Sequence, residues 1–89
     1  MKISEKKREK IFEQILSLLY TSSPKPLFTS HIAFEIARDE EFTKTILLGL
    51  KKRNLVVEIT KNFQGLPYLR RKRWTLSDKA YSSYNKIIG

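Results

Sequence analysis

The sequence predicts a single α+β domain, mainly α-helical, in which four helices pack on a small antiparallel sheet. Its 89 residues, with 40% hydrophobic content, are enough for one core but not for two. Apolar residues recur at helical spacing in four segments, and two stretches with strand-like alternation flank a segment that contains glycine and proline. We therefore expect residues 1–89 to form one domain.

The N-terminal part is predicted to be a helix followed by a short extended segment. The helix covers residues 4–20, with Ser4 as its cap. Its apolar stripe is wider than one packing face requires and consists of Ile11, Phe12, Ile15, Leu16, Leu18 and Leu19. Residues 21–26 contain two prolines and end the helix, and Leu27 and Phe28 are expected to be extended beside Pro26.

A second and a third helix are predicted to follow in close succession. The second is capped by Thr29 or Ser30 and runs to about Ala37. The third begins at its cap Asp39 and stops at Asn54, the residue type most apt after glycine to adopt the left-handed conformation. Two short helices joined in this way are typical of a helix-turn-helix unit, whose second helix is free to enter a DNA groove.

A hairpin and a last helix complete the predicted order of helix, short strand, helix, helix, strand, wing, strand, helix. Residues 55–60 are rich in β-branched side chains and form the first hairpin strand. Gly65 and Pro67 favour a loop over residues 61–69, and residues 70–76 form the return strand.

The return strand is predicted to separate apolar from basic side chains. Trp74 and Leu76 share one face, so burying Trp74 displays Arg71 and Arg73 on the other face. Ser77 is the predicted cap of the last helix. The apolar residues expected on one side of that helix are Ala80, Tyr84 and Ile87, with Tyr81 and Ile88 beside them.

The net charge of +9 is concentrated in the C-terminal part of the chain. Residues 1–50 carry eight Lys or Arg against seven Asp or Glu, whereas residues 51–89 carry ten against only Glu58 and Asp78. This distribution indicates a polyanionic partner, nucleic acid before a membrane surface. A generally basic protein without such a partner is the alternative.

Two stretches resemble parts of winged helix-turn-helix regulators. Residues 47–56, LLGLKKRNLV, resemble the junction between recognition helix and wing, where two leucines three apart precede a Gly-Leu-Val turn. Residues 74–80, WTLSDKA, are similar to the aromatic-x-Leu-Thr-x-x-Gly step that closes the wing in MarR- and ArsR-like proteins. Asn54 and Ala80 stand where glycine is usual. The resemblance covers about residues 8–88 and implies a DNA-binding regulator; in length and Lys/Ile-rich composition the chain is similar to small archaeal and archaeal-viral regulators.

The outward face of the third helix is the predicted DNA-reading surface. The residues expected to contact the major groove or its phosphates are Lys44, Thr45, Leu48 and Lys52. Glu40 and Glu41 precede them, and we interpret this acidic pair as complementing the helix dipole.

The wing is predicted to bind phosphates or the minor groove. Its basic residues are Arg70, Arg71, Lys72 and Arg73, and those at its tip are Phe63, Gln64 and Tyr68. A solvated hairpin edge, protected by charge against aggregation, is the alternative interpretation of the same residues.

The first and last helices carry more apolar surface than one domain of this size needs, which predicts a homodimer. The candidate interface residues are Phe12, Leu16, Leu19, Tyr81, Tyr84 and Ile88. Dimeric winged-helix proteins that resemble this chain use their terminal helices in this way, and they present two recognition helices one DNA turn apart.

The sequence favours neither catalysis nor a cofactor. It has one histidine, His31, no cysteine and three glycines, so it lacks a cysteine-ligated zinc site and a glycine-rich phosphate loop. We expect no enzymatic activity, no metal, no small-molecule cofactor, no membrane span and a cytoplasmic location.

The main functional prediction is a sequence-specific double-stranded-DNA-binding protein that regulates transcription. Two alternatives stay open. One is a winged-helix protein-interaction subunit that docks through Phe63, Leu66 and Tyr68, and the other is sequence-independent, chromatin-like DNA binding.

Overall fold

A computed structural model describes residues 4–59 and 72–88 of the protein. They form helices and strands in the predicted order: α1 Glu5–Ser22, β1 Leu27–Phe28, α2 Thr29–Glu35, α3 Glu40–Lys52, β2 Val56–Ile59, β3 Arg73–Leu76 and α4 Asp78–Ile88. This is the winged helix-turn-helix fold, with α2 and α3 as the helix pair and β2 and β3 as the hairpin strands. The predicted wing loop lies outside the described residues.

The three strands form one antiparallel sheet in the order β1-β3-β2. Trp74 of the central strand β3 pairs with Leu27 on one side and with Glu58 on the other. The predicted antiparallel pairing of the two hairpin strands is therefore confirmed. Because β1 leads directly into α2 and β2 follows α3, the sheet fixes the helix pair relative to the hairpin.

The hydrophobic core lies between the helices and one face of the sheet. Trp74 is fully buried, and its indole N–H donates a hydrogen bond of 2.8 Å to the hydroxyl of Thr29. The other fully buried side chains include Ile11, Ile15, Leu19, Ile32, Ile46, Leu47, Leu50 and Thr43. The predicted inward direction of Trp74 is confirmed, so the indole supports the core and is inaccessible for stacking on a base.

The predicted cap of α2 is wrong. The residue at the N-cap position is Phe28, whose side chain has no hydrogen-bond acceptor. Neither Thr29 nor Ser30 fills that role. The Thr29 hydroxyl instead accepts from Trp74 and donates to the carbonyl of Lys72 at 3.5 Å. A hydrogen bond between residues distant in sequence therefore uses the Thr29 hydroxyl, which the local sequence pattern predicted as a helix cap.

The predicted ends of α1 and α2 also shift. α1 continues to Ser22, two residues beyond the expected end. α2 stops at Glu35, because Ala37 adopts a left-handed φ of 55° and the next N–H, of Arg38, donates to the carbonyl of Ala33 at 2.9 Å. An alanine in this conformation is strained relative to glycine or asparagine. The sequence therefore did not predict that α2 ends before Ala37.

Both predicted ends of α3 are confirmed. The Asp39 carboxylate accepts hydrogen bonds of 3.1 Å from the backbone N–H groups of Glu41 and Phe42. At the other end Asn54 has a left-handed φ of 61°, and the N–H of Leu55 donates to the carbonyl of Leu50 at 3.0 Å. The chain therefore turns directly from α3 into β2.

Ser77 joins α4 to the turn between α3 and β2. Its hydroxyl donates to the carbonyl of Asn54 at 2.7 Å and accepts from the N–H of Ala80 at 3.1 Å, which confirms it as the cap. Ala80 is buried, but Ile87, expected on the same side of the helix, is 82% exposed. α4 therefore packs on the core of its own domain through its first turns.

Candidate nucleic-acid interface

α3 presents one continuous outward face. Its residues, spaced by helical turns, are Glu41, Lys44, Thr45, Leu48 and Lys52. All are exposed except Lys44, which is half-buried. Burial of the opposite side of the helix fixes this orientation. The outward direction of these residues is confirmed, and their contact with DNA stays a prediction.

Thr45 has a defined hydrogen-bonding state on this face. Its hydroxyl donates to the carbonyl of Glu41, one turn earlier, at 3.1 Å. The hydrogen is thereby used within the helix, while the oxygen lone pairs and the methyl group remain available. Thr45 is thus prepared to accept a hydrogen bond from a base edge or to contact a thymine methyl group.

A cleft of about 320 Å³ lies beside the N-terminal half of α3. It is lined by Phe28, Thr29, Ser30, Glu40, Glu41, Lys44 and Lys72. Pairing of β1 with β3 therefore brings Lys72 to the same cleft as Lys44, although the two lie far apart in the sequence. Ser30, which was not among the predicted site residues, adds a hydroxyl. The cleft combines two lysines with two carboxylates, so its charge is mixed.

Lys72 is also ion-paired within the domain. Glu58 of β2 lies between two lysines: Lys51 Nζ is 3.1 Å from Glu58 Oε1, and Lys72 Nζ is 3.6 Å from Glu58 Oε2. The Glu58 side chain is only 12% exposed, whereas both lysine side chains are about half exposed. Lys51 was absent from the predicted site. The signal that points to it is Glu58, the sole acidic residue from 51 to 77.

Of the remaining predicted wing residues, Arg73 is described by the structure and the others are not. Arg73 is half-buried, and its guanidinium carbon lies 5.7 Å from the centre of the Phe28 ring at the edge of the cleft. It is therefore less fully displayed than the alternation predicted. Outside the described residues lie Phe63, Gln64, Tyr68, Arg70 and Arg71.

A cluster of tyrosines connects α1 to α4, away from the α3 face. The ring of Tyr20 stacks on that of Tyr84 at 5.5 Å and meets that of Tyr81 at 5.3 Å. The Tyr20 hydroxyl donates to Asn85 Oδ1 at 3.1 Å. Burial raises the pKa of Tyr84, and the nearby carboxylate of Glu13 raises it further, so this hydroxyl is neutral at physiological pH.

The predicted dimer surface needs one correction. Leu19 is fully buried in the core of its own domain, so its side chain offers no surface to a partner. Phe12 is half-buried, with the guanidinium carbons of Arg8 and Arg53 at 6.0 and 5.6 Å from its ring centre. The apolar periodicity of α1 predicted the stripe, but it did not show which of its residues are buried in the core and which are open to a partner.

The other predicted dimer residues are less enclosed. Leu16 and Tyr84 are half-buried, and Tyr81 is 41% exposed. The side chain of Ile88 lies outside the described residues. Ile87, which was predicted on the same side of α4 as Ala80 and Tyr84, adds an exposed apolar side chain one turn from Tyr84. The homodimer stays a prediction.

A metal site and a membrane span are both absent from residues 4–59 and 72–88. Within these ranges no group of three or more His, Cys, Asp or Glu is arranged to hold a metal ion. Among the helices of the same ranges, none has the length and apolar character of a membrane span.

Solved structures with this architecture include a MepR–DNA complex from S. aureus, ZitR from Lactococcus lactis, and NadR in complex with 4-hydroxyphenylacetate. The MepR complex matches with a TM-score of 0.68 at 17% identity, over 97% of this chain and 55% of that chain. ZitR matches with a TM-score of 0.64 at 15% identity, over 89% of this chain and 57% of that chain. NadR matches with a TM-score of 0.68 at 20% identity, over 92% of this chain and 60% of that chain.

These likenesses define the chain as a winged helix-turn-helix domain and confirm, at the level of fold, its resemblance to regulators of that class. The chain spans less than two thirds of the length of the three matched proteins. No protein-family model matches the sequence, and no curated protein matches it.

Proposed function

We propose that the protein is a cytoplasmic, sequence-specific double-stranded-DNA-binding regulator of transcription. In this proposal α3 enters the major groove, and the hairpin of β2 and β3 contacts phosphates or the minor groove. The observation that carries it is the outward face of α3, bordered by a cleft that Lys44 and Lys72 line together. The fold supports it, since one matched structure is a complex with DNA.

The side chains on α3 suit two kinds of contact. Thr45 and Leu48 suit base edges and thymine methyl groups. The Leu48 side chain is 38% exposed. Lys44 and Lys52 suit the flanking phosphates, which position a protein on DNA without reading its sequence. The net charge of +9 favours such a polyanionic partner. We propose that Arg70 and Arg71, which lie outside the described residues, also contact phosphates.

We further propose that the protein acts as a homodimer through α1 and α4. Tyr81 and Ile87 on α4 are exposed apolar side chains, and Leu16 on α1 is half-buried. A two-fold axis beside these helices would present two α3 helices to half-sites about 34 Å apart, one turn of DNA.

Sedimentation analysis at micromolar concentration tests the dimer. We expect a mass of two chains, reduced to one chain by Tyr81→Glu because a carboxylate would be desolvated at the interface. Ser82→Glu is the matched control on the next, exposed position of α4. A mass of one chain for the unmodified protein would exclude the dimer.

Selection of bound fragments from random duplex DNA, followed by titration of the selected duplex against salt, tests the DNA-binding function. The proposal predicts an enriched sequence and affinity that falls steeply with salt. A steep salt dependence without enrichment would favour sequence-independent binding. Failure to bind any duplex at low salt would exclude DNA binding and favour the protein-interaction subunit.

A further inference from the structure

Glu58 places a negative charge in the most basic part of the chain. Residues 51–77 contain eight Lys or Arg and this one acidic residue. A carboxylate in this position weakens the attraction of the surface for any polyanion. Its presence therefore opposes the affinity that the surrounding charges provide.

The contacts of Glu58 are divided between its two oxygens. Oε1 is 3.1 Å from Lys51 Nζ and Oε2 is 3.6 Å from Lys72 Nζ. Both lysine side chains are about half exposed, so solvent weakens their attraction, but the Glu58 side chain is only 12% exposed and needs a cationic partner. One lysine would meet that need, so stability of the fold does not by itself explain why Glu58 pairs with two.

The two lysines occupy defined places beside the proposed DNA-binding surface. Lys51 lies in the last turn of α3. Lys72 immediately precedes β3, and its carbonyl accepts a hydrogen bond of 3.3 Å from the backbone N–H of Thr29 at the start of α2. Its main chain is therefore anchored, and Lys72 lines the same cleft as Lys44. Glu58 holds one ammonium group at the end of α3 and another at the base of the hairpin.

We propose that Glu58 restrains Lys51 and Lys72 and thereby lowers affinity for DNA of any sequence. An approaching phosphate has to replace Glu58 as the partner of either lysine, so the exchange of one anion for another gains little free energy. Contacts between α3 and base edges do not involve this exchange. Glu58 therefore lowers affinity for selected and scrambled duplexes alike, because both offer the same phosphates, and it leaves the preference between them unchanged. The inference rests on the proposed DNA-binding function.

The test compares Glu58→Gln with Glu9→Gln by titrating a selected duplex and a scrambled duplex against salt. Both variants raise the net charge equally, but Glu9 is an exposed residue of α1. For Glu58→Gln we expect about ten-fold tighter binding to both duplexes at low salt, a salt slope steeper by about one to two, and an unchanged preference for the selected duplex. Glu9→Gln should change these values much less.

A variant that combines Glu58→Gln with Lys51→Met and Lys72→Met should lose the gain. Equal effects of Glu58→Gln and Glu9→Gln would overturn the proposal, because net charge alone would then explain them. Weaker binding of Glu58→Gln to the scrambled duplex, with an unchanged melting temperature, would overturn it as well.

A readout without DNA separates this proposal from the proposed function. Amine acylation followed by peptide mass spectrometry should label Lys51 and Lys72 faster in Glu58→Gln than in Glu9→Gln, with Lys86 labelled equally in both. Elution from heparin should likewise need more salt for Glu58→Gln. If the unmodified protein bound no DNA, the proposed function would fail, and these two measurements would still decide whether Glu58 restrains the lysines. Equal labelling and equal elution would overturn the restraint itself.

Discussion

The outward face of α3 and the base of the hairpin offer different chemistry to a nucleic acid. Within three turns α3 presents a carboxylate, ammonium groups, a hydroxyl and a leucine side chain. The hairpin base presents lysines around one carboxylate, Glu58. Varied groups discriminate among base edges, whereas ammonium groups attract every phosphate alike. Selectivity and affinity are therefore separable in this domain, and each can be altered by its own substitutions.

Both regions depend on Trp74, whose removal should have the largest effect. Trp74→Ala deletes a fully buried indole and its hydrogen bond to Thr29, so we expect a loss of about 3–5 kcal/mol in the free energy of unfolding and loss of all DNA binding. Chemical denaturation measures this change. Phe34→Ala is the control, because that side chain is 82% exposed and should change stability by less than about 0.5 kcal/mol. Normal stability of Trp74→Ala with lost binding would indicate that the indole contacts DNA.

Removal of the two cleft lysines should weaken binding without changing its selectivity. We expect the double variant Lys44→Met, Lys72→Met to bind selected and scrambled duplexes about ten-fold more weakly, with a salt slope reduced by about one, mostly through Lys44 because Glu58 restrains Lys72. Fluorescence anisotropy over a range of salt concentrations gives both values. Lys25→Met with Lys86→Met removes the same charge from exposed positions on other parts of the fold and should have a smaller effect. An unchanged slope in the cleft variant would exclude both lysines as phosphate contacts.

Thr45→Val should change selectivity among bases and leave the affinity for a scrambled duplex unchanged. It keeps the shape and removes the hydroxyl, so the preference among bases at one position should change by about three- to ten-fold, while affinity for a scrambled duplex stays the same. Binding to a set of single-base variants of the selected duplex measures this. Thr21→Val is a matched control on α1, since its hydroxyl makes the same bond to a carbonyl one turn earlier, at 2.9 Å to Ser17. A uniform loss across all variants would contradict the assignment of Thr45 to base reading.

The junction between the two regions, Asn54, should show the smallest effect. Asn54→Ala puts a Cβ-bearing residue without a compensating side chain at a φ of 61°, which should lower the free energy of unfolding by about 1 kcal/mol. Asn54→Gly should stay within a few tenths of a kcal/mol of the unmodified protein. Thermal denaturation distinguishes the two. Equal stability of the two variants would show that the left-handed conformation is unimportant there.

The parts of the fold that sequence predicted correctly are those with local causes. Asp39 and Asn54 set the ends of α3 through their own side chains and backbone, and both appear directly in the sequence. The alternation of Trp74 with Leu76 gave the inward face of β3 for the same reason. The outward face of α3 then follows from helical geometry.

The parts that sequence missed depend on contacts between distant segments. Thr29 looks like a cap, yet its hydroxyl is taken by Trp74, 45 positions away. The pairing of Glu58 with Lys72 requires the register of β2 on β3, which no local pattern specifies. Leu19 belongs to an apolar stripe that is wide enough for two surfaces, and only the packed domain assigns it to the core.

One titration separates the two regions most directly: the affinity of the unmodified protein for a selected and for a scrambled duplex, each measured against salt concentration. If phosphates supply most of the affinity and α3 reads the sequence, both duplexes should give steep lines of similar slope, offset by a constant preference for the selected sequence. Coincident lines would contradict sequence reading by α3, and flat lines would contradict the contribution of the basic residues.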